Sequence, residues 1–76
     1  MRKGVIDVLT HMARIGVLHN WQLAYCYGYE FYQEHGFVPN VDAVPAAVAE
    51  KWKTKRMSRS VAGEAMKMLR QTLPQA

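Results

Sequence analysis

The stretch Asn20-Trp-Gln-Leu-Ala-Tyr-Cys-Tyr-Gly-Tyr-Glu-Phe-Tyr-Gln-Glu-His-Gly36 decides the fold, because it carries two conflicting signals. Leu23, Tyr25, Tyr27, Tyr29 and Phe31 alternate strictly, and alternating aromatics are a strand pattern. The ends of the stretch say helix. Asn20 is a good N-cap, and Gly36 at C′, Phe37 at C″ and Pro39 shortly after make a helix stop. A strand here would also need a partner, and the nearest candidate, Phe37 to Val41, is short and interrupted by Pro39. Helix is therefore the reading adopted for residues 21–35. Such a helix places Ala24, Tyr27, Gly28 and Phe31 on one side and Trp21, Tyr25 and Tyr32 on another. A helix apolar round most of its circumference is central to a core or also faces a partner.

Working outward, Val5, Ile6, Leu9, Met12 and Ala13 share one helical face in residues 4–15, with Gly16 placed to stop that helix. Downstream, a third helix is expected over 43–53. Asp42 complements the dipole at its start, Pro45 is tolerated in its first turn, and Val44, Val48 and Trp52 form its inner face. A fourth is expected over 59–73, capped by Ser58 or Ser60. Its inner face is read as Val61, Ala65, Met68, Leu69 and Leu73, with Glu64, Lys67, Arg70 and Gln71 outside. The fold class expected is all-α: one small four-helix domain over residues 1–76, with a helix-turn-helix-like unit in its C-terminal half. Leu9, Phe31, Val48, Trp52, Ala65 and Leu69 are the expected key core residues.

The 76 residues carry a net charge of +4, unevenly spread. Residues 21–42 hold only acids (Glu30, Glu34, Asp42), whereas Lys51, Lys53, Lys55, Arg56, Arg59, Lys67 and Arg70 gather beyond residue 50. The segment Glu50 to Ser60 reads as a basic turn between two helices. Cations neutralise phosphates and a fresh helix N-terminus donates N–H groups to them, so such a turn suits a nucleic-acid backbone. A solvated charged loop is the plain alternative. RNA binding draws on the same patch, but the tyrosine segment that would stack on bases carries the acids.

No catalytic pattern is present. His11, His19, His35 and Cys26 lack metal-ligand spacing, and neither a Gly-rich phosphate loop nor a Ser nucleophile motif occurs. No enzyme activity, metal, cofactor or small-molecule substrate is expected. A single cysteine fits a reducing compartment. No apolar run approaches the roughly 18 residues of a membrane span, and Asp7 and His11 follow Met1-Arg2-Lys3 too soon for a signal peptide. A cytoplasmic protein without membrane association is expected.

From Tyr29 to Gln71 the order of signals resembles the DNA-binding domain of LexA-type repressors and the wider winged-helix group. Gly36-Phe-Val-Pro39-Asn40 matches that family's Gly-x-x-Pro-polar helix end, and Val48, Ala49 and Trp52 match its short second helix. Ser60, Ala62, Ala65, Met66 and Leu69 match its recognition helix. The loop before the short helix and the turn at Lys53 to Met57 are longer than the family's, the turn lacks Gly, and no wing is expected, the sequence ending at Ala76. The resemblance implies duplex DNA as partner and a role in transcription regulation. It implies a recognition helix in a major groove, with Ser58, Arg59, Ser60, Gly63 and Lys67 towards bases and phosphates, and Lys51, Lys53, Lys55 and Arg56 on phosphates.

The second expectation is a protein-binding module, such as the small modulators of transcription machinery that phages make. Trp21, Tyr25, Tyr29 and Tyr32 would be its interface, to a host protein or a second copy. The alternative for each of these rings is that it belongs to the core.

Overall fold

A computed structural model describes residues 11, 12 and 19–74 of the chain. The conflict over residues 21–35 resolves to helix: α1 runs from Asn20 to His35. A single 3-10 turn, Val41–Ala43, leads into α2, Val44–Trp52, and α3 follows as Arg59–Thr72. The described residues are thus all-helical, with three α-helices and no strand. The expected helix over 4–15 lies outside the described residues apart from His11 and Met12, which are helical, and the core candidate Leu9 lies outside them too.

Each helix end has a local cause. At the start of α1 the cap is His19 and not Asn20, and the Gln22 side chain reaches back to accept from the His19 backbone N–H at 2.9 Å. Gly36 ends α1 in the left-handed conformation, φ 83°, its N–H donating to the Tyr32 carbonyl at 2.7 Å. Pro45 sits in the first turn of α2, where its missing N–H costs nothing. Ser58 caps α3, its hydroxyl accepting from Val61 N–H at 3.2 Å.

α1 is the central element. It shares its largest interface with α3 and a smaller one with α2. Leu23, Ala24, Tyr25, Cys26, Gly28 and Tyr29 are all buried, which covers most of the circumference of its first three turns. The strand-like alternation is compatible with this helix because a helix buried on several sides shows no polar face to break the aromatic run. From α3 come Ala62, Ala65, Met66 and Leu69, spaced i, i+3, i+4 and i+7. Met66 takes the inward position expected of Met68, which is 44% exposed because it lies about a third of a turn round from that stripe. Val38, Val44, Val48 and Met57 close the core from the connections and α2.

Two expected core residues are rim residues. Phe31 is half-buried and stacks with His35 and Phe37, at ring separations of 4.2 and 5.3 Å. Trp52 packs on the core edge with the Lys51 ammonium 4.9 Å from its ring centre.

The α1–α3 contact is close because Gly28 has no side chain. A Cβ there would stand 2.5 Å from Leu69 Cδ1 and 2.6 Å from Met66 Cε, and both of those side chains are fully buried. At Gly63 in α3 the nearest atom to such a Cβ is Val41 Cγ1 at 3.8 Å, an ordinary contact. Gly63→Ala should therefore gain roughly 0.5–1 kcal/mol of helix propensity. Gly28→Ala makes the same gain but overpacks the core at a cost of about 1–3 kcal/mol, for a net loss of about 1 kcal/mol. In thermal melts the two variants should move in opposite directions, by about 4–8 °C per kcal/mol. Equal stabilisation of both would mean that the helices do not approach this closely.

Candidate nucleic-acid interface

The connection Lys53–Ser58 and the first turn of α3 bring most of the expected phosphate and base contacts into one region. Lys53, Lys55, Arg56, Ser58, Arg59 and Ser60 are all exposed, and Met57 alone of this run turns inward, 5% exposed, to anchor it on the core. The run begins under a backbone constraint. Lys53 closes α2 in the left-handed conformation, φ 52° and ψ 44°, with its N–H donating to the Ala49 carbonyl. The turn lacks a glycine, so a lysine adopts the conformation that glycine would take at no steric cost. That conformation sends the chain sharply out of α2, so that Lys55 and Arg56 precede α3 in an exposed segment.

The cations here divide by their partners. Lys51 is turned away from the turn and paired with Glu30 of α1, fastening α2 to α1. Arg70 donates to the Pro39 carbonyl at 3.2 Å, holding the loop after α1 against α3. Arg59 donates through Nε to Asp42 Oδ1 at 2.5 Å, and both side chains remain largely exposed. This hydrogen bond and the adjacent negative charge raise the Arg59 pKa further, so the guanidinium is a permanent cation. Lys53, Lys55, Arg56 and Lys67 make no ion pair with any described residue. Lys67 lies with Ser60 and Glu64 on the outward face of α3.

Asp42, Pro45, Arg56, Met57 and Arg59 line a shallow cavity of about 320 Å³ beside the start of α3. Asp42 is the charged member of this lining that sequence reasoning did not place in the site. Its signal was present only as a helix-start acid, because the contact with Arg59 spans 17 residues and the 3-10 turn that makes it was not foreseen.

Two of the four expected interface rings are buried. Tyr25 and Tyr29 are each 7% exposed, not a surface stripe. The side of α1 that carries Tyr25 and Tyr32 faces the end of α3. The Tyr32 hydroxyl donates to the Pro74 carbonyl at 2.5 Å, and burial raises the Tyr25 pKa, partly offset by its hydrogen bond with Thr72. Trp21 does lie at the surface, 45% exposed, and Phe37, which was not proposed, is 52% exposed. Phe37 was missed because it was read only as the C″ residue of a helix stop. Beside it, Tyr27, Glu30, Phe31, Glu34, His35 and Lys51 line a second shallow cavity, of about 250 Å³. Cys26 is buried, and burial pushes its thiol up to about 11, so it stays protonated at neutral pH. No helix among the described residues is long and apolar enough to cross a membrane.

The left-handed Lys53 yields a stability test. Lys53→Gly should stabilise the fold by about 0.5–1 kcal/mol, the steric relief outweighing the extra freedom of glycine in the unfolded chain. Chemical denaturation reads this directly, and a loss of stability would show that Lys53 is not held left-handed. Comparison with protein-family models, with curated proteins and with solved structures finds no match.

Proposed function

We propose that this chain binds double-stranded DNA through α3 and the connection before it, as a helix-turn-helix-like unit of a small cytoplasmic transcription regulator. One observation carries the reading: the run Lys53–Arg59, exposed except at Met57, holds four cations and no acid, and it opens directly onto the capped N-terminus of α3. Helix N-termini and free cations both favour phosphate oxygens. Lys53, Lys55 and Arg56 take the phosphate role, and Lys67 extends it along the outward face of α3. Arg59, Ser60 and Gly63, at the start of that helix, take the base-facing role. Lys51 braces α2 on α1 through Glu30 and is not needed on DNA.

Fluorescence anisotropy against a duplex of unrelated sequence at two salt concentrations tests this. Affinity should fall steeply with salt, and Lys55→Ala should weaken binding to all duplexes alike and reduce the logarithmic salt slope by about one. Arg59→Ala should cost about tenfold, concentrated at one base position. Absence of duplex affinity at low salt would sink the proposal.

A second reading, docking on a host protein or a second copy, is favoured by the exposure of Phe37 and Trp21. Phe37 packs edge-on against Phe31 and extends the half-buried rings of Tyr27 and His35 into one surface. Sedimentation of wild type and Phe37→Glu decides between a second copy and none. Association lost in the variant, with helix content intact, supports self-docking, and a monomeric wild type at high concentration rejects it.

A further inference from the structure

We propose that Asp42 is a positioning residue that aims Arg59 at guanine, an inference that rests on the DNA-binding reading of the same site. Asp42 is carried on a fixed segment. The Asn40 side chain accepts from the Asp42 backbone N–H at 2.9 Å, and Ala43 N–H closes the 3-10 turn on the Asn40 carbonyl at 3.1 Å. The preceding Pro39 is fully buried, and its carbonyl is held by Arg70 from the far half of α3. Ser58 fixes the other partner, because its cap sets the first turn of α3, where Arg59 is the first residue. The carboxylate and the guanidinium therefore meet across two anchored backbones.

The chemistry lies in which nitrogen is used. Asp42 accepts from Nε, and the two terminal amino groups of Arg59 have no partner among the described residues. Those two groups form the end-on fork that matches guanine O6 and N7. An arginine beside phosphates would ordinarily be drawn to the backbone, and a carboxylate next to it opposes that by repelling phosphate oxygens. Asp42 thus performs two tasks: it limits the rotamers of a long side chain, and it reserves that cation for a base. The pair is exposed, so approaching DNA meets it already formed and need not open the core.

The test uses the full chain. Duplexes are selected from a pool randomised over 20 base pairs, and binding to the selected duplex is compared with binding to an A·T-only duplex and to the selected duplex carrying 7-deazaguanine, which lacks the N7 acceptor. Wild type should select a guanine and lose about tenfold on its 7-deaza form. Asp42→Ala should bind the A·T-only duplex more tightly, steepen its salt slope by about one, and lose most of the guanine preference. Asp42→Asn keeps an acceptor for Nε without the charge. It should retain guanine preference better than Asp42→Ala while showing the same steeper slope, and it serves as the folded control if Asp42→Ala melts. If wild type binds duplexes with salt dependence but both variants keep its slope and its guanine preference, or if no guanine is selected, this inference is overturned and the DNA-binding reading stands. Wild type with no duplex affinity overturns both.

Discussion

The approach of α3 to α1 over Gly28 is the contact on which the rest of the molecule depends. α1 buries residues on most of its sides, so it serves as the central rod, and Gly28 is the place where α3 comes close enough to exclude any side chain. Met66 and Leu69 fill that place completely, each contributing on the order of 1.5–3 kcal/mol of burial in a domain whose whole stability is of similar scale to a few such residues. Fixing those two residues inward fixes the rotation of α3 about its own axis. With Ala62, Ala65, Met66 and Leu69 inside, Ser60, Glu64, Lys67 and Gln71 must point out. The face offered to a partner is thus set by packing on the opposite side of the helix.

Charge does a different job in each part of the surface. Lys51, Arg59 and Arg70 each bridge two segments, to α1, to the 3-10 turn and to the loop at Pro39. Exposed bridges of this kind add little stability, but they consume cations that a reading of charge alone would assign to a polyanion. Lys53, Lys55, Arg56 and Lys67 are left over, and three of the four lie in one connection. The acids that pair with Lys51 and Arg59 are Glu30 and Asp42, both from the segment 21–42, and Asp42 also lines the cavity beside Arg56.

Local signals were the legible part of the sequence. Gly36 and Pro39 marked the end of α1, Pro45 the start of α2, and Ser58 the cap of α3, because each acts on backbone atoms within a few residues. Harder to read was anything that depends on what lies opposite. Tyr25, Tyr29 and Tyr32 looked like an interface because an aromatic face has the same sequence pattern whether a partner or the fold itself covers it. Lys53 gave no sign of its left-handed conformation, since lysine has no preference for it and only the chain path requires it. The base-facing role given to Arg59 was formulated without Asp42, whose contribution needs the fold to close a gap of 17 residues. Trp52 was placed in the core on its spacing from Val44 and Val48, and Phe31 on the apolar side of α1, whereas the described helices leave the last turns of α1 and the end of α2 at the rim.

Among the described residues, the number of cations without an ion pair bears on how the proposed DNA-binding surface works. If Lys53, Lys55, Arg56 and Lys67 each neutralise one phosphate, counterion release gives a logarithmic salt slope of about −4. Binding then weakens by about a hundredfold between 50 and 200 mM salt, less than the roughly thousandfold or greater loss of proteins that make about 6–10 phosphate contacts. Under the proposed DNA-binding reading, these four described cations alone would leave one copy weakly attached at physiological salt. On that reading the remaining affinity comes from the first turns of α3, where Arg59 and Ser60 offer donors and acceptors to base edges. Gly63 lies beside them in a helix position where packing allows alanine, so its lack of a side chain is not explained by the core. A Cβ there would lie against Val41 of the 3-10 turn, and the glycine carries a cost in helix stability that the close α1–α3 contact has to offset.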